Sequence, residues 1–281
     1  VSRGLGDVYK RQSEWTIRHG VFSAPPQWAV DSIKGYEGHT WAPDIIYYKG
    51  NYHLFYSCSA FGKNTSAIGH AYRRTLNPDS DEPWTDTGAV IVSHARDNFN
   101  AIDPNIVIDE EGNPWMTFGS FWGGIQLVRL TEDLTSTLKP EKLYTICTRQ
   151  FEGASDVPSR SVNSVEAPFI FKHGDYYYLF VSYDFCCRGL KSDYKVVVGR
   201  STRVTGPYVD KDGRELTRGG GSLVVDSNDE FVAIGHSAAY HFDGKDYFMA
   251  HGYSRSEDGA SKLFFREMTW DEEGWPFVSA E

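Results

Sequence analysis

The chain has 281 residues, with 28 basic against 38 acidic side chains, a net charge of −10 and 15% aromatic residues. That length suits one large domain or two small ones and needs no disulfide scaffold to build a core. The acidic balance excludes the basic stripe of a nucleic-acid surface, and no apolar run reaches the ~18 to 20 residues of a membrane helix.

Residues 1–12 contain no apolar export segment and share no pattern with the rest of the chain, so they are set aside as a non-native leader. From residue 13 onward, short aromatic and β-branched runs alternate with Gly, Asn, Asp and Pro, the pattern of strands and turns. No sustained helical period occurs. Four times an apolar run reaches a turn glycine and returns as an aromatic strand: around Gly50, Gly112, Gly174 and Gly244. By subtraction these glycines stand 62, 62 and 70 residues apart. Each unit holds a hairpin plus chain for two more strands, which makes a propeller blade. Trp84-Thr-Asp-Thr-Gly88-Ala-Val closes one such unit, and Trp15-Thr-Ile-Arg-His-Gly20-Val has the same form. The expected architecture is an all-β, five-bladed β-propeller with an incomplete first blade. Its remnant covers 13–30, and the complete blades cover 39–92, 99–145, 163–225 and 230–281. The four cysteines are expected as buried thiols, and the adjacent Cys186 and Cys187 are not expected to pair with each other.

The inner strand of each blade lines a propeller's axis. Eight or nine residues before the turn glycines stand Trp41 and Ala42, Asp103, Glu166 and His236. Two acids in a pocket with aromatic walls are what glycoside hydrolysis requires. Glu166 is the expected general acid, and Asp103 is the negative neighbour that keeps it protonated. Trp41, Phe121 and Trp122 are candidates to stack on sugar faces. Gly235-His-Ser-Ala-Ala239 lacks the closing glycine and helix of a nucleophile elbow, and Gly219-Gly-Gly221 lacks the lysine of a phosphate loop.

An ordered set of motifs carries a family resemblance. It includes Trp41-Ala-Pro-Asp44, Ser66-Ala-Ile-Gly69, Asn100-Ala-Ile-Asp-Pro-Asn105, Gly119-Ser-Phe-Trp-Gly-Gly-Ile125 and Val165-Glu-Ala-Pro168. Cys186-Cys-Arg-Gly189, Gly199-Arg-Ser201 and Thr205-Gly-Pro-Tyr208 continue it. Together they resemble the arabinan-degrading members of glycoside hydrolase family 43. The resemblance implies an inverting endo-arabinanase acting on α-1,5-linked L-arabinan, secreted or periplasmic and monomeric. It implies Glu166 as general acid, Asp103 as the residue that orients it, and Trp41, Ser120 and Phe121 as substrate-binding residues. It also implies an axial calcium ion, held largely through water, with His236 as its protein contact. The family's general base is an aspartate in a His-Asp-Pro motif, and that tripeptide does not occur here. The polypeptide as given is therefore expected to hydrolyse slowly or not at all. Competing expectations are an arabinofuranosidase or β-xylosidase of the same family, or a sugar-binding propeller without catalysis.

Overall fold

The structure is a computed structural model that describes residues 20–149 and 163–279. Sixteen strands form four antiparallel sheets, each a four-stranded meander in chain order. The first sheet holds β1 (Thr40–Tyr48), β2 (Asn51–Cys58), β3 (Ser66–Arg73) and β4 (Thr85–Ser93). The second holds β5 (Asn105–Ile108), β6 (Pro114–Phe118), β7 (Ile125–Arg129) and β8 (Leu143–Cys147). The third holds β9 (Val165–His173), β10 (Tyr176–Tyr183), β11 (Lys195–Ser201) and β12 (Ser222–Val225). The fourth holds β13 (Phe231–Phe242), β14 (Lys245–Ser254), β15 (Ser261–Trp270) and β16 (Pro276–Val278). Four such meanders are the blades of an all-β propeller fold, so the described residues make four blades rather than five.

Residues 20–22 carry no strand, and 27–32 form a helix, α1 (Gln27–Ser32). The described part of 13–30 is thus not a blade strand. Pro25 and Pro26 have no N–H to give a ladder, whereas Pro26 suits a helix start, where that donor is not needed. Residues 1–19, including Trp15 and the leader, lie outside the described residues.

Burial explains the strand composition. The second strands of the first three sheets are buried almost throughout, and they are the near-continuous aromatic and β-branched runs. The outer strand β4 exposes several of its residues, and the short outer strand β12 exposes Leu223. The chain divides into two compact units, residues 20–116 with 128–142, and 117–127 with 143–279. In the first, Ala29 and Ile33 of the helical segment pack with Tyr56, Cys58 and Ala67. In the second, Phe169, Phe180, Phe231, Phe248 and Phe264 anchor a larger cluster. Each fully buried phenylalanine contributes about 1.5–3 kcal/mol.

Two features position the site. Inner strands bulge near their starts, with register shifts between Trp41 and Asp44 and between Gly235 and Ala238. Ala42, Asp103, Ala167 and His236 all take positive φ, at 40°, 58°, 52° and 54°. A bulge bends the strand and re-aims its side chains, and the positive φ recurs once per blade. The second feature corrects the expectation for the cysteines. Cys186 and Cys187 are joined to each other by a disulfide. A positive φ of 66° at Cys187 turns the chain tightly there, so the two sulfurs meet. Cys58 and Cys147 are buried free thiols. Burial pushes the pKa of each of them up to about 12.

Candidate active site

In the second unit the site is built around Glu166 on β9, a half-buried carboxyl. The Ser120 hydroxyl donates to its Oε2 at 2.7 Å, and the Tyr194 hydroxyl donates to its Oε1 at 2.8 Å. Both carboxyl oxygens are thus oriented by neutral donors. Ser120 lies two residues past the end of β6 and forms an isolated antiparallel bridge with Glu166. The next residue, Phe121, donates its N–H to the Val165 carbonyl at 2.8 Å. Tyr194 immediately precedes β11 and is 1% exposed. Its ring lies against the backbone of Gly235, where a Cβ would collide with it. Glycine is what lets the tyrosine approach the strand closely enough to reach Glu166.

His236 stands beside this group. His236 donates its backbone N–H to the Ser182 hydroxyl at 2.8 Å, and Ser182 is the ladder partner of Glu166. The His236 ring lies 6.1 Å from that of His251, which lies 6.0 Å from Tyr194. His251 Nε2 is 3.2 Å from the Tyr253 oxygen. Burial lowers the His236 pKa, opposed by the negative charge of Glu166. Burial, then the neighbouring His236, lowers His251 to about 4. Two neutral imidazoles therefore accompany the carboxyl near neutral pH.

The first unit repeats the same local device. Asp103 is 7% exposed and donates its N–H to the Ser57 hydroxyl at 3.0 Å. Ser57 pairs with Trp41 across the β1–β2 ladder. Trp41 is half-buried and lines a cavity of about 260 Å³ with Phe22, His39 and Tyr56. Of the residues singled out from sequence, Glu166, Ser120, Phe121 and His236 come together in one unit, while Trp41 and Asp103 share the other through Ser57. The sequence reading does not single out Ser57, Ser182, Tyr194, His251 or Tyr253. The serines carry a signal: Ser57, Ser120 and Ser182 each fall close to the end of the second strand of their sheet, inside it or just beyond.

The calcium expectation meets a mixed donor set. Among the described residues no three His, Cys, Asp or Glu side chains converge on a metal position. The Ser237 hydroxyl, beside His236 in the chain, is buried without a hydrogen-bond partner. A buried orphan hydroxyl wants water or an ion, and a neutral imidazole can contact one. These residues fit an ion held mainly by water, and they do not form a cage of protein ligands.

A carboxyl fixed in direction by two hydroxyls, with neutral histidines beside it, is the kind of group that glycosidase chemistry calls for. The sequence profile described as "Glycosyl hydrolases family 43" matches residues 11–276. An extracellular exo-α-(1→5)-L-arabinofuranosidase of Cellvibrio japonicus is 47% identical over 96% of this chain and 78% of its own length. An extracellular endo-α-(1→5)-L-arabinanase of Bacillus subtilis is 40% identical over 93% of this chain and 76% of its own. The structure of Cellvibrio cellulosa α-L-arabinanase complexed with arabinohexaose superposes with a TM-score of 0.90 at 47% identity, covering 94% of this chain and 85% of that one. The chain belongs to glycoside hydrolase family 43.

Proposed function

We propose that this chain is a glycoside hydrolase that cleaves α-1,5-linked L-arabinan internally and with inversion, with Glu166 as general acid. The observation that carries the assignment is the Glu166 carboxyl, held at both oxygens by the hydroxyls of Ser120 and Tyr194. Such a carboxyl can deliver a proton to the leaving glycosidic oxygen from a fixed direction. Asp103 is assigned the orienting role, and Trp41, Ser120 and Phe121 are assigned to the substrate. The names of the relatives support arabinan as the polymer. Their extracellular location supports export of this protein as well. No base is assigned among residues 1–281, because no His-Asp-Pro occurs in them. The same reading includes five blades, supported by the W-x-x-x-G-x-V form that Trp15 and Trp84 share. It includes a monomer, and a calcium ion whose protein contact is the neutral His236.

The test is incubation with linear α-1,5-arabinan, with products resolved by size and their anomers read by NMR. Because no base is assigned, only slow release of a spread of oligosaccharides with inverted ends is expected from the chain as given, and Glu166→Gln should slow it further. A form carrying a His-Asp-Pro strand before residue 13 should gain a factor of about 10²–10⁴ if the base belongs there. Release of single arabinose units from chain ends would overturn internal cleavage. Failure of the unmodified protein to bind arabinotetraose in calorimetry would overturn the substrate itself.

A further inference from the structure

The segment between β10 and β11 carries the Cys186–Cys187 disulfide, and its position ties it to the candidate acid from two sides. On one side the Phe185 ring lies 5.7 Å from the Phe121 ring. Phe121 is itself bound to the carbonyl of Val165, the residue before Glu166. On the other side the Cys187 N–H donates to the Tyr253 oxygen at 2.9 Å. Tyr253 bonds to His251, and the His251 ring faces Tyr194, whose hydroxyl holds Glu166. The segment is also held firmly. Gly259 approaches Gly189 so closely that a Cβ would collide with its backbone. The Arg188 guanidinium lies 3.9 Å over the Phe185 ring.

Stability does not account for this disulfide. A cross-link stabilises mainly by closing a loop in the unfolded chain, in proportion to the logarithm of loop length. A bond between neighbours (separation of one residue) closes the shortest loop there is. What the bond does is set the pair beside the half-buried rings of Phe185 and Phe121: Cys187 is an exposed residue whose sulfur lies 3.8 Å from the Tyr253 hydroxyl, and Cys186 is half-buried against Tyr194, Ala233 and Tyr253. Sulfur is soft, polarisable and a poor hydrogen-bond partner, so this surface suits C–H groups rather than hydroxyls.

We propose that Cys186–Cys187, with Phe185 and Phe121, is a binding platform for the C–H face of the arabinofuranose ring next to the scissile oxygen. This rests on the arabinan reading of the site. A furanose in a 1,5-linked chain offers ring C–H groups and a C5 methylene, while its hydroxyls point elsewhere. The platform would grip the ring beside Glu166 without competing for the hydroxyls that Ser120 and Tyr194 use on the acid.

Reduction of the disulfide reads its coverage directly. A water-soluble phosphine takes oxygen from water and converts the bond to two thiols. Counting thiols under native conditions then reports this pair, because Cys58 and Cys147 are buried. The experiment uses Glu166→Gln, so that α-1,5-arabinotetraose stays intact, and calorimetry fixes its Kd. With ligand at ten times Kd, reduction should slow about tenfold, in proportion to the uncovered fraction. The double variant Cys186→Ser/Cys187→Ser should bind the tetraose about tenfold more weakly, with its melting temperature checked alongside. Binding without protection, or unchanged affinity in the double variant, would overturn the platform and leave the substrate reading standing. No binding by the unmodified protein would overturn the substrate reading, and the platform with it.

Discussion

The hydroxyl of Ser182 accepts the backbone N–H of His236 at 2.8 Å while Ser182 pairs across the ladder with Glu166. One residue thus ties the candidate acid to His236: its backbone pairs with Glu166 and its hydroxyl holds the His236 N–H. Ser57 does the same for Trp41 and Asp103 in the other unit. Ser120 reaches the Glu166 carboxyl directly. The positive φ at Asp103 and His236 explains why a serine is needed. A bulged residue points its N–H out of its own ladder, and that donor must find a partner elsewhere.

Ser182→Ala should therefore leave the His236 N–H without its acceptor in a buried setting, since Ser182 is 0% exposed. The expected cost is about 1–3 kcal/mol of unfolding free energy. Urea titration should show a lower midpoint at unchanged slope. A midpoint equal to that of the unmodified protein would show that water replaces the serine without loss.

Tyr194 and Gly235 should behave as a pair. Tyr194→Phe keeps the ring and removes the donor to Glu166 Oε1. If that bond positions the acid, kcat should fall about tenfold, or about 1.4 kcal/mol, with KM little changed. Gly235→Ala puts a methyl group into the Tyr194 ring and should cost about 1–3 kcal/mol of stability as well as kcat. A Gly235→Ala protein with full kcat would separate the ring's position from the acid's function. Initial rates on arabinan, alongside urea titrations, measure both.

Much of the second-unit site is legible in the sequence because the repeat fixes a frame. Turn glycines at Gly174 and Gly244 place Glu166 and His236 at matching points of their inner strands. The serines are legible in principle, but serine near a strand end is too common to stand out in one sequence. Tyr194 is hidden for another reason. Its role depends on the missing side chain of Gly235, about forty residues away in the chain, and a close approach of that kind leaves no local pattern. The disulfide runs against the sequence expectation because pairing of neighbours needs a particular backbone turn, and the φ of Cys187 that provides it is not encoded in composition. Of the segment before α1, only residues 20–26 are described, and they carry no strand; the Trp15 end of the motif lies outside the described residues.

Calcium should raise the melting temperature of chelator-treated protein in a concentration-dependent way, as any ligand of the folded state does. His236→Ala should remove that response, because the imidazole is the protein contact assigned to the ion. Ser237→Ala should weaken it less and stabilise the protein without calcium, since it removes a buried hydroxyl with no partner. A calcium response that survives in His236→Ala would place the ion elsewhere. Differential scanning calorimetry across a calcium series reads all three.

Acid should destabilise the fold partly through His251. Its pKa is lowered from 6.5 to about 4 in the folded protein, by burial first and then by His236. The groups facing it are His236, Tyr194 and the Tyr253 hydroxyl, which offer no negative charge in direct contact. The unfolded chain therefore binds a proton near pH 6.5 that the folded chain refuses until about pH 4. Above pH 6.5 this contribution to stability is fully present. Between 6.5 and 4 it is lost, with a slope approaching about 1.4 kcal/mol per pH unit. Below about 4 it is flat. His70 is lowered further, to about 3, by burial and then by His53, and adds to the slope over the same window. His251→Gln can still bond to Tyr253 but cannot titrate, so its unfolding free energy should fall less steeply, by one proton's worth, between pH 6.5 and about 4. Urea titrations at closely spaced pH values measure the difference in slope. An unchanged slope in that variant would mean His251 is already protonated in the folded protein at about pH 6, and the neutral imidazole assigned to the site would be wrong.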